Sequence, residues 1–243
     1  MNLLSIRIRK LLHAITSSAG RRALAAGVAA SIEHKSALGR IQYRSVVDVG
    51  ANVGQFALFA CEQYPAAAIF SFEPLEDCWK KFGDIFEQEK RVQLFRYGVG
   101  PSDTDAAIHV THDNDSSSIL EPAPIQSEVF GTAVRTKQKI QLRRLSSLLR
   151  HDQVLPPALL KIDVQGYEIE VLKGCEELLN RFDTVYVEAS YLELYKGQTL
   201  AGEVIEFLWT HGFNLRGVFN QHVDKEKGPL QADFLFEKLA DQN

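Results

Sequence analysis

The chain is short of several things. Its 243 residues hold three Cys, one Met and two Trp. Cys61, Cys78 and Cys175 form no CxxC or other metal-ligand spacing, and their odd number leaves one over in any pairing, so neither a disulfide framework nor a cysteine zinc site is expected. Reduced thiols point to a cytoplasmic location. No apolar run approaches the roughly 18 to 20 residues needed to cross a bilayer. The best stretch, Ala23 to Ile32, is short and alanine-rich. Basic residues precede it and Val28-Ala29-Ala30 resembles a cleavage site, but so weakly apolar a segment makes a poor signal peptide. Repeats, low-complexity tracts, a G-x-S-x-G elbow and a linker to a second domain are all missing.

Acids are scarce in one region only. Residues 1–44 hold eight of the 27 Lys and Arg but only Glu33 of the 31 Asp and Glu, a local charge of +7. The remaining 19 basic and 30 acidic residues give −11, for a net charge of −4. A basic N-terminal extension on an acidic body argues against nucleic acid as the partner of that body. Leu3, Leu4, Ile6, Ile8, Leu11, Leu12 and Ile15 recur at helical spacing among Arg7, Arg9 and Lys10, so residues 1–44 read as a helical extension. Residues 1–30 of it would contact an anionic membrane surface, a partner subunit or the body itself.

From residue 45 to 243, short β-branched or aromatic runs alternate with helical periodicity, the pattern of a mostly parallel sheet with helices on both faces. Strands are expected at 45–49, 68–72, 92–97, 159–164, 184–188, 213–218 and 232–236, the last two as an antiparallel edge hairpin. Helices are expected near 54–64, 75–87, 167–179 and 202–211. Residues 99–157 break the alternation with a polar loop and a strand near 134–142, an insertion of the kind that shapes or covers a site. It reads as a substrate lid.

The run Val46-Val-Asp48-Val-Gly50-Ala51-Asn52-Val-Gly54 carries a buried strand into a glycine turn and a helix beginning near Gln55 and Phe56. Such a turn lets backbone approach a ligand closely, with helix N-terminal N–H groups free to meet it. In a dinucleotide fingerprint the middle residue would be glycine; here it is Asn52, and Asp48 adds a carboxylate where phosphates would approach. That chemistry suits the cationic S-adenosylmethionine. Glu73, before Pro74 at the end of the second strand, can accept both ribose hydroxyls. Asp163 and Glu188 end the fourth and fifth strands at the same sheet edge, where open α/β sheets bind ligands. Glu168 reads as a structural helix-start acid. His109 and His112 would face opposite ways on a strand, and no metal is expected.

Together these pieces resemble the FkbM-type S-adenosylmethionine-dependent methyltransferases. The resemblance rests on VVDVGANVGQFA (46–57), FSFEPL (70–75), DNDSSSIL (113–120), LLKIDVQGYEIEVLKGCEELL (159–179), VYVEAS (185–190) and ADFLFEK (232–238), in family order. It implies a Rossmann-like class I methyltransferase fold with seven strands, the last antiparallel, and O-methylation of a hydroxyl on a sugar, glycan or other secondary metabolite. It also implies that the loop Asp48, Gly50, Ala51, Asn52, Gly54, Gln55 and Phe56 holds the methionine end of the cofactor, with Glu73 and Pro74 at its ribose and Asp163 nearby. An alcohol must lose its proton on methylation, and the general base is expected at Asp163, then Glu188, then His34. Two positions depart from the family pattern: Gln165 stands for Glu in the turn after Asp163, and Ser146 for Asp in Arg144-Leu145-Ser146-Ser147-Leu148. The rival readings are an NAD-dependent oxidoreductase and a non-catalytic binding protein that keeps the cofactor fold.

Overall fold

The computed structural model describes residues 17–112 and 114–239. The amphipathic stretch Leu3 to Ile15 lies outside them. Ten strands follow in chain order: β1 (Ser45–Val49), β2 (Ala68–Phe72), β3 (Val92–Phe95), β4 (Gly98–Val99), β5 (Thr104–Thr111), β6 (Val134–Arg143), β7 (Ala158–Ile162), β8 (Thr184–Ser190), β9 (Phe213–Asp224) and β10 (Gly228–Lys238). Seven form one sheet in the order β3-β2-β1-β7-β8-β10-β9. Its pairs are parallel except those of β10, which runs antiparallel to both β8 and β9. This reversed last strand, slotted between β8 and β9, is the Rossmann-like class I methyltransferase topology.

Every residue of β1 and β7 is buried, as expected of central parallel strands covered on both faces. One face packs Val47, Leu160 and Val185 against Leu172 and Cys175 of α7 (Glu168–Leu179) and Val204 and Leu208 of α8 (Ala201–Thr210). The other packs Val46, Ile69, Leu159 and Tyr186 against Phe56 to Ala60 of α3 (Gln55–Gln63) and Phe82, Ile85 and Phe86 of α4 (Glu76–Phe86). Into this second layer fits the end of the basic segment: α1 (Ser18–Ala25), a 3₁₀ turn Ile32–His34 and α2 (Lys35–Leu38). Ala19, Ala23, Val28, Ala30, Ala37, Leu38 and Tyr43 are all buried there. Arg22 donates from Nε to the Ile85 carbonyl at 2.8 Å.

The 99–157 interval builds structure of its own. β6 pairs antiparallel with β5 and parallel with β4 in a three-stranded sheet, followed by α5 (Pro124–Phe130) between its strands and α6 (Leu145–Leu148) after them. Ile108, Val110, Ile140 and Leu142 join Leu75 and Cys78 in a small third core. Asp105, Ala106 and Ala107 are weak strand formers, so β5 was not expected from its sequence; pairing with β6 imposes the extended conformation.

Candidate active site

The carboxyl ends of β1, β2, β7 and β8 open on a cavity of about 480 Å³, within the range of small-molecule sites. Gly50, Ala51, Asn52, Gln55, Phe56, Glu73, Pro74, Asp163 and Glu188 line it. Asp48 and Gly54 do not. Gly50 (φ +83°) turns so tightly against β7 that a Cβ would collide with the Asp163 carbonyl oxygen, and Gly54 (φ +96°) lies against the Phe86 and Phe82 rings. α3 starts after this turn with no side-chain cap, leaving its first N–H groups to the loop.

Asp48 is fully buried and stands behind the loop rather than in the cavity. Its neighbour across the sheet is Lys161 of β7, whose Nζ lies 3.3 Å from Asp48 Oδ1, 3.6 Å from Asp163 Oδ2 and 3.4 Å from the Gly50 carbonyl. Burial disfavours the ammonium, but Asp48 and Asp163 outweigh it and hold its pKa above the ordinary lysine range. Lys161 therefore ties the loop, Asp48 and Asp163 together, with Phe56 stacked 5.4 Å from its Nζ. In the sequence Lys161 stands only within the motif at 159–179; its role follows from the register that pairs it directly with Asp48 across β1 and β7.

Glu73 is nearly buried and already engaged: Asn52 N–H donates to Oε2 and Leu75 N–H to Oε1, both at 2.8 Å. Burial pushes its carboxyl up to about 7 against these two hydrogen bonds. It thus braces the loop that it also faces. Glu168 at the start of α7 accepts the Gly166 N–H at 2.8 Å, and burial raises its pKa to about 7.

Asp163 and Glu188 come together through Gln165. The Gln165 Nε2 donates to Asp163 Oδ1 and Glu188 Oε2, both at 2.9 Å, and Gln231 Nε2 donates to Glu188 Oε1 at 3.0 Å. Burial, then the Asp163 and Asp233 carboxylates, raise the Glu188 pKa well above the usual range. Asp163 is the more open of the pair, with 37% of its side chain exposed.

His34 also lines the cavity, delivered by the 3₁₀ turn of the basic segment. Its Nδ1 lies 3.2 Å from the Tyr186 hydroxyl and 3.5 Å from Asp233 Oδ2. Asp233 in turn accepts from Tyr186 and from Asn220 Nδ2, each at 2.8 Å. Burial opposes its charge, yet His34, Asn220 and Tyr186 hold its pKa below the ordinary value. Tyr186, Asn220 and Asp233 were not singled out from the sequence, since each is unremarkable until β10 is placed beside β8. From the insertion, Ile108, Asn114, Asp115, Ser117, Ser118, Ile119 and Ile140 close the cavity's other side. Ser146 lies in α6, away from the lining. No group of three His, Cys, Asp or Glu suited to a metal occurs among the described residues; Asp113 lies outside them.

The described lining carries six carboxylates, Glu33, Glu73, Asp115, Asp163, Glu188 and Asp233, against Lys161 and His34. With Lys161 already paired, this donor set fits a sulfonium and an ammonium and would repel a pyrophosphate.

Comparison with known proteins agrees with the geometry. The methyltransferase FkbM domain matches residues 48–215. Methyltransferase sdnD of Sordaria araneosa is 32% identical over 161 residues, covering 54% of this chain and 60% of the relative. Hexuronic acid methyltransferase AglP of Haloferax volcanii is 30% identical over 145 residues, covering 58% and 54%. The 2-O-methyltransferase NoeI of Sinorhizobium fredii is 27% identical over 174 residues, covering 67% and 70%. The chain thus spans a little over half the length of the first two of these relatives. With the matched domain running from the end of β1 into β9 and taking in the carboxyl ends of β1, β2, β7 and β8, the chain belongs to the FkbM methyltransferase family.

Proposed function

We propose that this protein is an S-adenosylmethionine-dependent O-methyltransferase whose acceptor is a hydroxyl of a sugar, glycan or related secondary metabolite. The observation that carries the cofactor is the carboxylate-rich cavity at the glycine turn, which suits a sulfonium ligand. The hydroxyl acceptor draws on relatives whose names describe a hexuronic acid methyltransferase and a 2-O-methyltransferase.

The cofactor, when bound, supplies an electrophilic methyl group. Loop 50–56 cradles its methionine end and Glu73 its ribose, with Pro74 beside it; Asp48 acts at one remove, by fixing Lys161 and the loop. The chain's main task is alignment of acceptor oxygen with methyl carbon, which supplies roughly 7 to 11 kcal/mol in favourable cases. Asp163, kept in place by Lys161 and half open to the cavity, accepts the hydroxyl proton as the new C–O bond forms, a contribution of about 10² to 10⁴ in rate. Glu188, which also lines the cavity, is the second carboxylate. The insertion, through Ser117 and Ser118, forms the acceptor side of the cavity and serves as the lid.

Calorimetry with S-adenosylhomocysteine and with NAD, followed by transfer of labelled methyl from S-adenosylmethionine to a panel of glycosides, tests this. Binding of the adenosyl ligand and label on a hydroxyl oxygen are expected; binding of NAD alone would refute the reading. Asp163→Asn should retain cofactor affinity and lose about 10² or more in turnover.

A further inference from the structure

Between the two carboxylates at the acceptor end of the cavity sits a neutral side chain held at every polar atom. Gln165 Nε2 has two hydrogens, and its two recorded partners are Asp163 and Glu188, one for each. Its Oε1 accepts from the Tyr195 hydroxyl at 3.0 Å. The carboxylates decide which end of the amide faces inward, because a flipped amide would set its oxygen against both of them. Tyr195 is itself tied to the insertion: its hydroxyl lies 3.0 Å from the Ser116 carbonyl, and Gln126 Nε2 donates to it at 3.1 Å. The Gln165 backbone adopts φ +58°, a conformation that L residues avoid, and Ser118 Oγ donates to its carbonyl at 2.6 Å. Ser118 directly, and Ser116 and Gln126 through Tyr195, therefore hold the turn while the turn holds the carboxylates.

We propose that Gln165 is a positioning residue for methyl transfer: its amide holds Asp163 and Glu188 side by side and aims Asp163 at the acceptor hydroxyl, with Tyr195 and Ser118 transmitting the placement of the insertion to that pair. The inference rests on the O-methyltransferase reading. Two carboxylates that share one hydrogen-bonding partner lie close enough to repel each other. An amide bridging them donates to both and adds no charge. Glutamate, the residue of the family pattern, would donate only when protonated, leucine would fill the space without donating, and asparagine would fall short by one methylene.

The test uses the full chain, labelled S-adenosylmethionine and a panel of methyl glycosides comprising a neutral hexoside, a uronide and an amino sugar. Gln165→Leu should bind S-adenosylhomocysteine within about twofold of the parent, while kcat falls about 10²-fold with little change in acceptor KM. The acid limb of its pH–rate profile should move to higher pH, because carboxylates that lose a donor hold a proton more tightly. Gln165→Glu, which restores the residue of the family pattern, should keep more of kcat than Gln165→Leu and gain further as pH falls, when a protonated acid regains a donor. Tyr195→Phe should move kcat and the acid limb in the same direction by less.

Wild-type kcat and acid limb in Gln165→Leu would overturn the proposal. So would a loss of cofactor affinity or of thermal midpoint that accounts for the fall in kcat, since that is a purely structural role. An unaltered Tyr195→Phe would overturn the link to the insertion. Wild-type protein that binds S-adenosylhomocysteine but labels none of the glycosides would instead refute the acceptor reading, and the inference with it; that failure is distinguishable because it appears without any substitution.

Discussion

Glu73 lines the cavity with both carboxylate oxygens already receiving backbone N–H groups, and in the proposed reading its remaining lone pairs accept from the ribose. Only the ionised form can accept from two hydroxyls, and burial places its titration at about 7. Affinity for S-adenosylhomocysteine should therefore strengthen as pH rises through that value, and Glu73→Gln should weaken it about tenfold or more and flatten the pH dependence, both readable by calorimetry. Glu168 titrates in the same region without facing the ligand. Its folded pKa is raised above the unfolded value of 4.5, so the native state binds more protons between roughly 4.5 and 7, and this residue's contribution to stability declines as pH rises through that window. Glu168→Gln keeps an oxygen for the Gly166 N–H and removes the buried charge. It should raise the thermal midpoint at pH 8 by a few degrees, about 1 to 2 kcal/mol, and leave the midpoint at pH 4.5 nearly unchanged.

At the scale of elements, the segment before β1 is part of the site's wall. Leu38 of α2 is buried, its carbonyl accepts the Tyr64 hydroxyl at 2.8 Å, and the turn before α2 carries His34 to the cavity. Leu38→Ala should cost about 2 to 5 kcal/mol in denaturant unfolding, the range for a buried leucine, whereas a segment merely resting on the body would lose under 1. The basic pattern of residues 1–44 foretold an appendage because charge is visible in sequence and the small alanines that pack it are not conspicuous. The insertion shows the converse: its polar loop was recognisable at 113–118, but β5 and α5 were not, since their conformations follow from pairing with β6 and from an N-terminal proline at Pro124 rather than from a strong local pattern.

For the whole molecule, five of the body's 30 acidic residues, Glu73, Asp115, Asp163, Glu188 and Asp233, line the cavity. A saturating adenosyl ligand at 100 times its Kd adds about 2.7 kcal/mol and should raise the thermal midpoint by about 5 to 10 °C, with NAD giving no shift. The positions of the main strands along the chain, the glycine turn, and the acids Glu73, Asp163 and Glu188 near the strand ends were legible because they depend on local periodicity and on the rule that ligands bind at the carboxyl ends of parallel strands. What the tertiary structure alone decided is which of those groups touch. Asp48 meets Lys161, Tyr186 meets Asp233, and Gln165 joins Asp163 to Glu188 under the hand of Ser118 and Tyr195. Sequence periodicity specifies which face of a strand is buried. Such partners are set by register between strands and loops far apart in the chain, and that is fixed only when the whole core packs.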